Sequence, residues 1–173
     1  QAGLDVLLAW NGSHELTDIA PTLYYKVLYY SLKGAMIDEL GQENFESFLS
    51  TFAFKRSYPK VIGDEASIWW DNVTTKKIVE KRSQIISKAL QRAIAELQSE
   101  IGHDMNEWQW GQVHSVMHEH PLGKVEMLSP WFNVGPFPAP GGNETINNAS
   151  FKMNGDGKYK MVSGPSIRSI VDF

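Results

Sequence analysis

The chain has 173 residues, a formal net charge of -4 and a pI near 5.7, so it lacks the basic surface that neutralising a phosphate backbone requires, and no nucleic-acid partner is expected. With 42% hydrophobic and 21% charged residues it can bury a core rather than stay disordered. It has no cysteine, which excludes disulfides and thiolate metal sites, and no apolar run reaches the roughly 18 residues that cross a bilayer, so no membrane partner is expected either.

Residues 3–10 are a short apolar stretch closed by the turn signal Asn11-Gly12. From Pro21 onward, Leu23, Tyr24, Val27, Leu28 and Ser31 recur at helical steps. Pro21 suits the first turn, Thr17 or Asp18 is available as a cap, and Gly41 is a natural stop. Tyr24, Tyr25, Tyr29 and Tyr30 fall in adjacent pairs, which fits a helix packed on several sides or an aromatic face that stacks a ligand. Residues 42–54 space Phe45, Phe48, Leu49 and Phe52 for a second, shorter helix, with Tyr58-Pro59 and Gly63 breaking the pattern. Ile68, Trp69 and Trp70 form a bulky apolar knot. The run Lys76, Lys77, Lys81, Arg82, Lys88 and Arg92 is interrupted by Glu80 and reads as a solvated helix face. A further helix is expected with Ser83 as cap, Ile86, Leu90, Ala93, Leu97 and Ile101 as core stripe, and Gly102 as terminator.

Past His103 the pattern changes. His114, Val116, His118 and His120 share one face if the segment is extended. Pro136, Pro138 and Pro140 alternate with Phe137 and Ala139, so fixed φ angles impose an extended arm that is no helix and can hardly be a central strand. Gly141 and Gly142 then deliver Asn143, Glu144, Asn147 and Asn148. Such an arm can form one wall of a site, and it can equally be an ordinary surface loop. Residues 145–153 and 158–162 read as strands around the turn Asn154-Gly155-Asp156-Gly157, and residues 167–173 alternate in strand fashion. The expected class is α+β, with a mainly helical region over residues 1–107 and a β-rich region of antiparallel strands over residues 108–173.

Among candidate chemical groups, His114 and His118 have the four-residue spacing of a zinc-binding helical pair, but Ser115 stands where that motif needs its glutamate. On a strand His114, His118 and His120 could face one way, but same-face neighbours lie about 7 Å apart, so His114 and His118, two such steps apart, cannot share one ion unless a bulge intervenes. No metal or other cofactor is expected. Glu144 is the best-placed carboxylate, able to orient a base or an amine if it faces a cleft and a plain loop glutamate if it does not. No nucleophile motif occurs.

The elements Trp10-Asn11-Gly12, Asp38-Glu39-Leu40-Gly41, Trp108 to Gly111, His120-Pro121-Leu122-Gly123, Gly135 to Pro138, Gly142 to Asn147 and Gly164 to Asp172 occur in this order along nearly the whole chain. As an ordered set they resemble the penicillin acylase (penicillin amidase) family, in its C-terminal β-chain part. That resemblance implies an N-terminal-nucleophile hydrolase with an αββα sandwich, in which a self-processed terminal serine attacks an acyl amide with its own α-amino group as base. It implies that this chain is a fragment inactive alone, that its partners are the rest of the parent α and β chains and a small acyl amide, and that the protein is periplasmic or extracellular. Glu144 matches an acidic position close to the family's catalytic centre, and Trp131, Phe132 and Phe137 are candidate apolar wall for the acyl group or, equally, core. The family usually has Trp-Asp-Gly where Asn11 stands here. The reading from another class is a non-catalytic binding module that grips a sugar, peptide or partner chain with exposed aromatics.

Overall fold

The computed structural model describes residues 1–165; the strand expected over 167–173 lies outside them. Helix α1 (Ala2–Ala9) leads to the spine of the molecule, α2 (Ala20–Leu49). Gly41 does not stop α2 but bends it, because its backbone at φ 69 and ψ 167 is open to glycine and unfavourable for other residues. Residues 42–49 therefore continue the helix and bury Phe45 and Leu49. The expected side-chain cap is not used: Ile19 holds the N-cap position. Asp18 is instead committed to its own turn, its carboxylate accepting from the Glu15 backbone at 2.7 Å and its carbonyl from Trp110 N at 2.8 Å.

Helix α3 (Phe52–Gly63) runs through Pro59 instead of ending there. Proline removes one donor and crowds the preceding turn, but Tyr58, Val61 and Ile62 on either side pack onto the core and hold the last turn in place. Helix α4 (Arg82–Glu100) starts two residues earlier than a Ser83 cap would have it, with Lys81 as N-cap and Gln84 Oε1 accepting from Lys81 N at 2.9 Å. Its buried stripe is Ile85, Ala89, Ala93 and Leu97, leaving Ile86 and Leu90 half-buried at the flank. Gly102 closes the end, its N–H donating to Leu97 O at 3.3 Å.

Helices α2 and α4 form the main helical contact. Across it, the buried ammonium of Lys26 pairs with Glu100 and lies 3.4 Å from Glu96 Oε2, while the Tyr30 hydroxyl donates to Glu96. Burial opposes ionisation of Glu96, but Tyr30, Arg92 and Lys26 outweigh it and hold this carboxyl below its ordinary range.

All four strands among the described residues follow Val113: β1 (His114–His118), β2 (Val134–Pro138), β3 (Ser150–Phe151) and β4 (Tyr159–Ser163), in the order β2-β1-β4-β3. A one-turn helix, α5 (Trp110–Val113), feeds β1, and another, α6 (Ser129–Phe132), precedes β2. The hairpin β3/β4 is antiparallel, as is β1/β2, but β1 and β4 run parallel. The sheet is therefore mixed, not purely antiparallel. The chain between β1 and β4 is long enough for the crossover that a parallel pair needs. Strand β2 is the outermost described strand on its side, where Pro136 and Pro138 forgo no ladder bond on the open edge. Tyr25, Trp110, Phe151 and Tyr159 weld the sheet to α2 with ring centroids 4.8 to 5.7 Å apart.

Candidate functional site

The loop between β2 and β3 is built on His114. Its imidazole is fully buried, stacked 4.6 Å from Trp110 at an interplanar angle of 10°. Nδ1 lies 2.6 Å from Ala139 O and Nε2 lies 3.2 Å from Ala149 O. One ring thus lies between the carbonyls of the first and last residues of the loop. A neutral imidazole donates from one nitrogen only, and the shorter contact assigns that proton to Nδ1. Burial lowers the pKa of His114, with the two carbonyls acting in the opposite direction.

Above this base the loop is closed by backbone and side-chain bonds. Gly141 N donates to His14 O at 2.8 Å and Gly141 O accepts from Trp110 Nε1 at 2.8 Å. Gly141 has φ +90, and a Cβ there would sit 2.2 Å from Asn147 O; one on Gly142 would lie 2.7 Å from the His14 ring. The pair must be glycine for the backbone to approach this closely. Thr145 Oγ1 donates to Asn147 O at 2.8 Å and accepts from Gly142 N at 3.1 Å, and Asn147 Nδ2 donates to Pro140 O at 2.9 Å. Asn143 uses both ends of its amide on Phe151, accepting from its N–H at 3.1 Å and donating to its carbonyl at 3.2 Å. These bonds replace the strand expected from residue 145 onward, so that β3 is only two residues long.

His14 supports the loop from beneath. Its Nδ1 is 2.8 Å from Gly12 O and its Nε2 is 3.1 Å from the Tyr25 hydroxyl. Burial depresses its pKa and raises that of Tyr25, so both are held neutral. Nothing in the spacing of His14, Tyr25 and Trp110 marks them as one group, because they meet only through packing of the first loop, α2 and α5.

Glu144 stands at the tip of the loop in a left-handed backbone conformation, φ 60, which is uncommon for a residue with a Cβ. Its side chain is 68% exposed and its Oε1 lies 2.8 Å from Lys55 Nζ on α3. Two cavities flank the loop. One, of about 170 Å³, lies between Gly12, Ser13, His14, Glu15 and Gly141, Thr145, Asn147. The other, of about 210 Å³, has Leu49, Phe54, Phe151, Met153 and Val162 as apolar lining and Lys55, Lys152 and Asn143 as polar groups. The site can therefore present two carboxylates (Glu15 and Glu144), two ammoniums (Lys55 and Lys152) and amide groups on a rigid support. The Tyr25 hydroxyl is paired with His14 Nε2, but burial keeps it protonated.

Trp131, Phe132 and Phe137 are all exposed and line neither cavity. Phe132 stacks on His120 at 5.2 Å. The three histidines expected on one strand face are separated: a register shift between Val116 and His118 breaks the alternation, His118 is exposed, and His120 lies past the end of β1. Among the described residues no group of three His, Asp or Glu side chains is arranged to hold a metal ion.

The chain is similar to acyl-homoserine lactone acylase QuiP of Pseudomonas fluorescens, 29% identical over 172 residues covering 96% of this chain and 20% of that protein. QuiP of Pseudomonas syringae pv. syringae is 30% identical over 174 residues, 96% of this chain and 21% of the relative. QuiP of Pseudomonas aeruginosa is 24% identical over 186 residues, 98% and 22% respectively. The chain spans about one fifth of the length of these relatives. The family model described as Penicillin amidase matches residues 1–173, and the chain belongs to the penicillin amidase family.

Proposed function

We propose that this chain is a C-terminal β-chain region of an amidohydrolase that cleaves acyl amides, with the loop over residues 139–149 forming a supporting wall beside the catalytic centre. The observation that carries this reading is the family match along the full chain, joined to a loop whose every turn is fixed from the buried side. In the reaction, a terminal serine supplied by another part of the parent polypeptide attacks the amide carbonyl. Its α-amino group takes the hydroxyl proton and passes it to the leaving amine, and water then releases the acyl group from the serine. The mixed sheet described here supplies strands to one layer of an αββα sandwich completed by the rest of the parent α and β chains. The names of the relatives favour an acyl-homoserine lactone over a penicillin or cephalosporin as the amide, and a periplasmic or extracellular setting goes with that family.

Within this reading Glu144 is a positioning residue. Its carboxylate, held at the loop tip by backbone geometry and by Lys55, orients groups of the neighbouring catalytic region. The test is Glu144→Gln in the full-length parent, followed by self-processing and by acyl-homoserine lactone turnover. A fall of about tenfold in either rate, equivalent to about 1.4 kcal/mol of barrier, is expected. Wild-type processing and turnover would remove Glu144 from the site.

A further inference from the structure

The segment over residues 120–138 inverts the usual relation between order and exposure. Leu122, Val125, Met127, Trp131, Val134 and Phe137 are all exposed, with Met127 at 83% and Trp131 at 84%. Their backbone is nonetheless well tied. Asn133 accepts from His120 N at 3.0 Å and donates to Gly123 O at 3.2 Å and Ser129 Oγ at 3.0 Å, so a single amide ties the 3₁₀ turn over Pro121–Lys124 to α6. Gly123 is buried against it, a Cβ there falling 1.9 Å from Asn133 Oδ1. An ordered apolar surface loses the entropy of ordering without gaining the burial that normally offsets it.

The chemistry of this surface is that of a protein interface core. Lys124 and Glu126 are its only acidic or basic side chains besides His120, while Trp, Met and Phe dominate, which is the composition of interface centres rather than of solvated rims. Neither of the two cavities beside the loop is lined by residues 121–137. The relatives extend for roughly four fifths of their length beyond the matched region, which supplies an occupant on the same polypeptide.

We propose that residues 122–137 are a docking surface for the remainder of the parent polypeptide, and that Trp131 is its anchor. This rests on the chain being part of a larger parent protein. It gives Trp131 and Phe137 a role in assembly rather than in contact with the acyl group. The test is covalent footprinting of Met127 and Trp131 in the full-length, processed parent, read by mass spectrometry against the same protein in urea. Labelling about tenfold lower in the folded protein is expected, at a dilution where the parent is monomeric and with no substrate present, as for a side chain at an interface centre. Labelling within about twofold of the unfolded level overturns the proposal. Protection that arises only on adding an acyl-homoserine lactone overturns it in favour of an acyl-binding wall, and protection lost on dilution overturns it in favour of a second copy. Protection in a parent that hydrolyses no amide would leave docking standing while removing the proposed activity.

Discussion

The two halves of the Pro/Gly-rich arm are opposites. Residues 120–138 are rich in apolar side chains and point them at solvent, whereas residues 139–151 are rich in Asn and Gly and are fastened to the aromatic core. The polar half is finished by this chain alone, because its amides and glycines find partners on His14, Trp110, His114 and Phe151. The apolar half finds no such cover among the described residues. Polarity predicts burial poorly when hydrogen bonding inside the chain satisfies one segment and another is shaped for a neighbour.

The largest blow to the fastened half is expected from Trp110→Ala, which empties a fully buried site and removes the bond to Gly141 O. A loss of about 3–5 kcal/mol in urea unfolding is expected, and a loss under 1 kcal/mol would show that the loop is not held through this ring. Gly141→Ala should cost about 2 kcal/mol or more, since it combines a left-handed backbone with a clash against Asn147 O; loosened amide exchange over residues 141–148 is the local readout. His114→Phe keeps a ring against Trp110 but leaves the Ala139 carbonyl without its donor, for about 1–3 kcal/mol.

Acid should act on the same half. His14 and His114 both titrate below their ordinary 6.5 because burial disfavours the cation. The folded state then binds fewer protons than the unfolded state. Their contribution is complete above pH 6.5 and is lost as pH falls from there toward the folded values, at a slope of at most about 1.4 kcal/mol per pH unit for each ring. Glu96 also has a lowered pKa, so its contribution is present above its ordinary 4.5 and is lost at lower pH. Urea midpoints measured from pH 8 to 5 should fall below pH 6.5 and do so less steeply in His114→Phe. A flat profile over that range would contradict the neutral assignment.

The smallest effect on stability is expected from Glu144→Gln, within about 0.5 kcal/mol, because its pair with Lys55 is solvent-exposed. That variant sharpens the comparison by separating a functional role for the loop tip from a structural one.

Much of the local structure was legible. The helical periodicity from Pro21 to Gly41, the stripe through Ala93 and Leu97, the hairpin turn at residues 154–157 and the exclusion of the proline arm from a central strand are short-range consequences of residue type. Three expectations failed for reasons beyond local propensity. Packing of Val61 and Ile62 carried α3 past Pro59, a bulge after Val116 parted the histidines, and β1 met β4 in parallel.

By itself the sequence determined the helix-then-strand order, the stiff arm, the glycine pair at its turn and, through ordered motifs, the family. Only tertiary structure decided that one buried imidazole lies between the carbonyls of Ala139 and Ala149, that His14 and Tyr25 lie beneath Gly142, and that Trp131 faces outward. The division has a physical cause: φ preferences and hydrophobic period act within a few residues, whereas burial, pKa and exposure arise from groups brought together from distant parts of the chain.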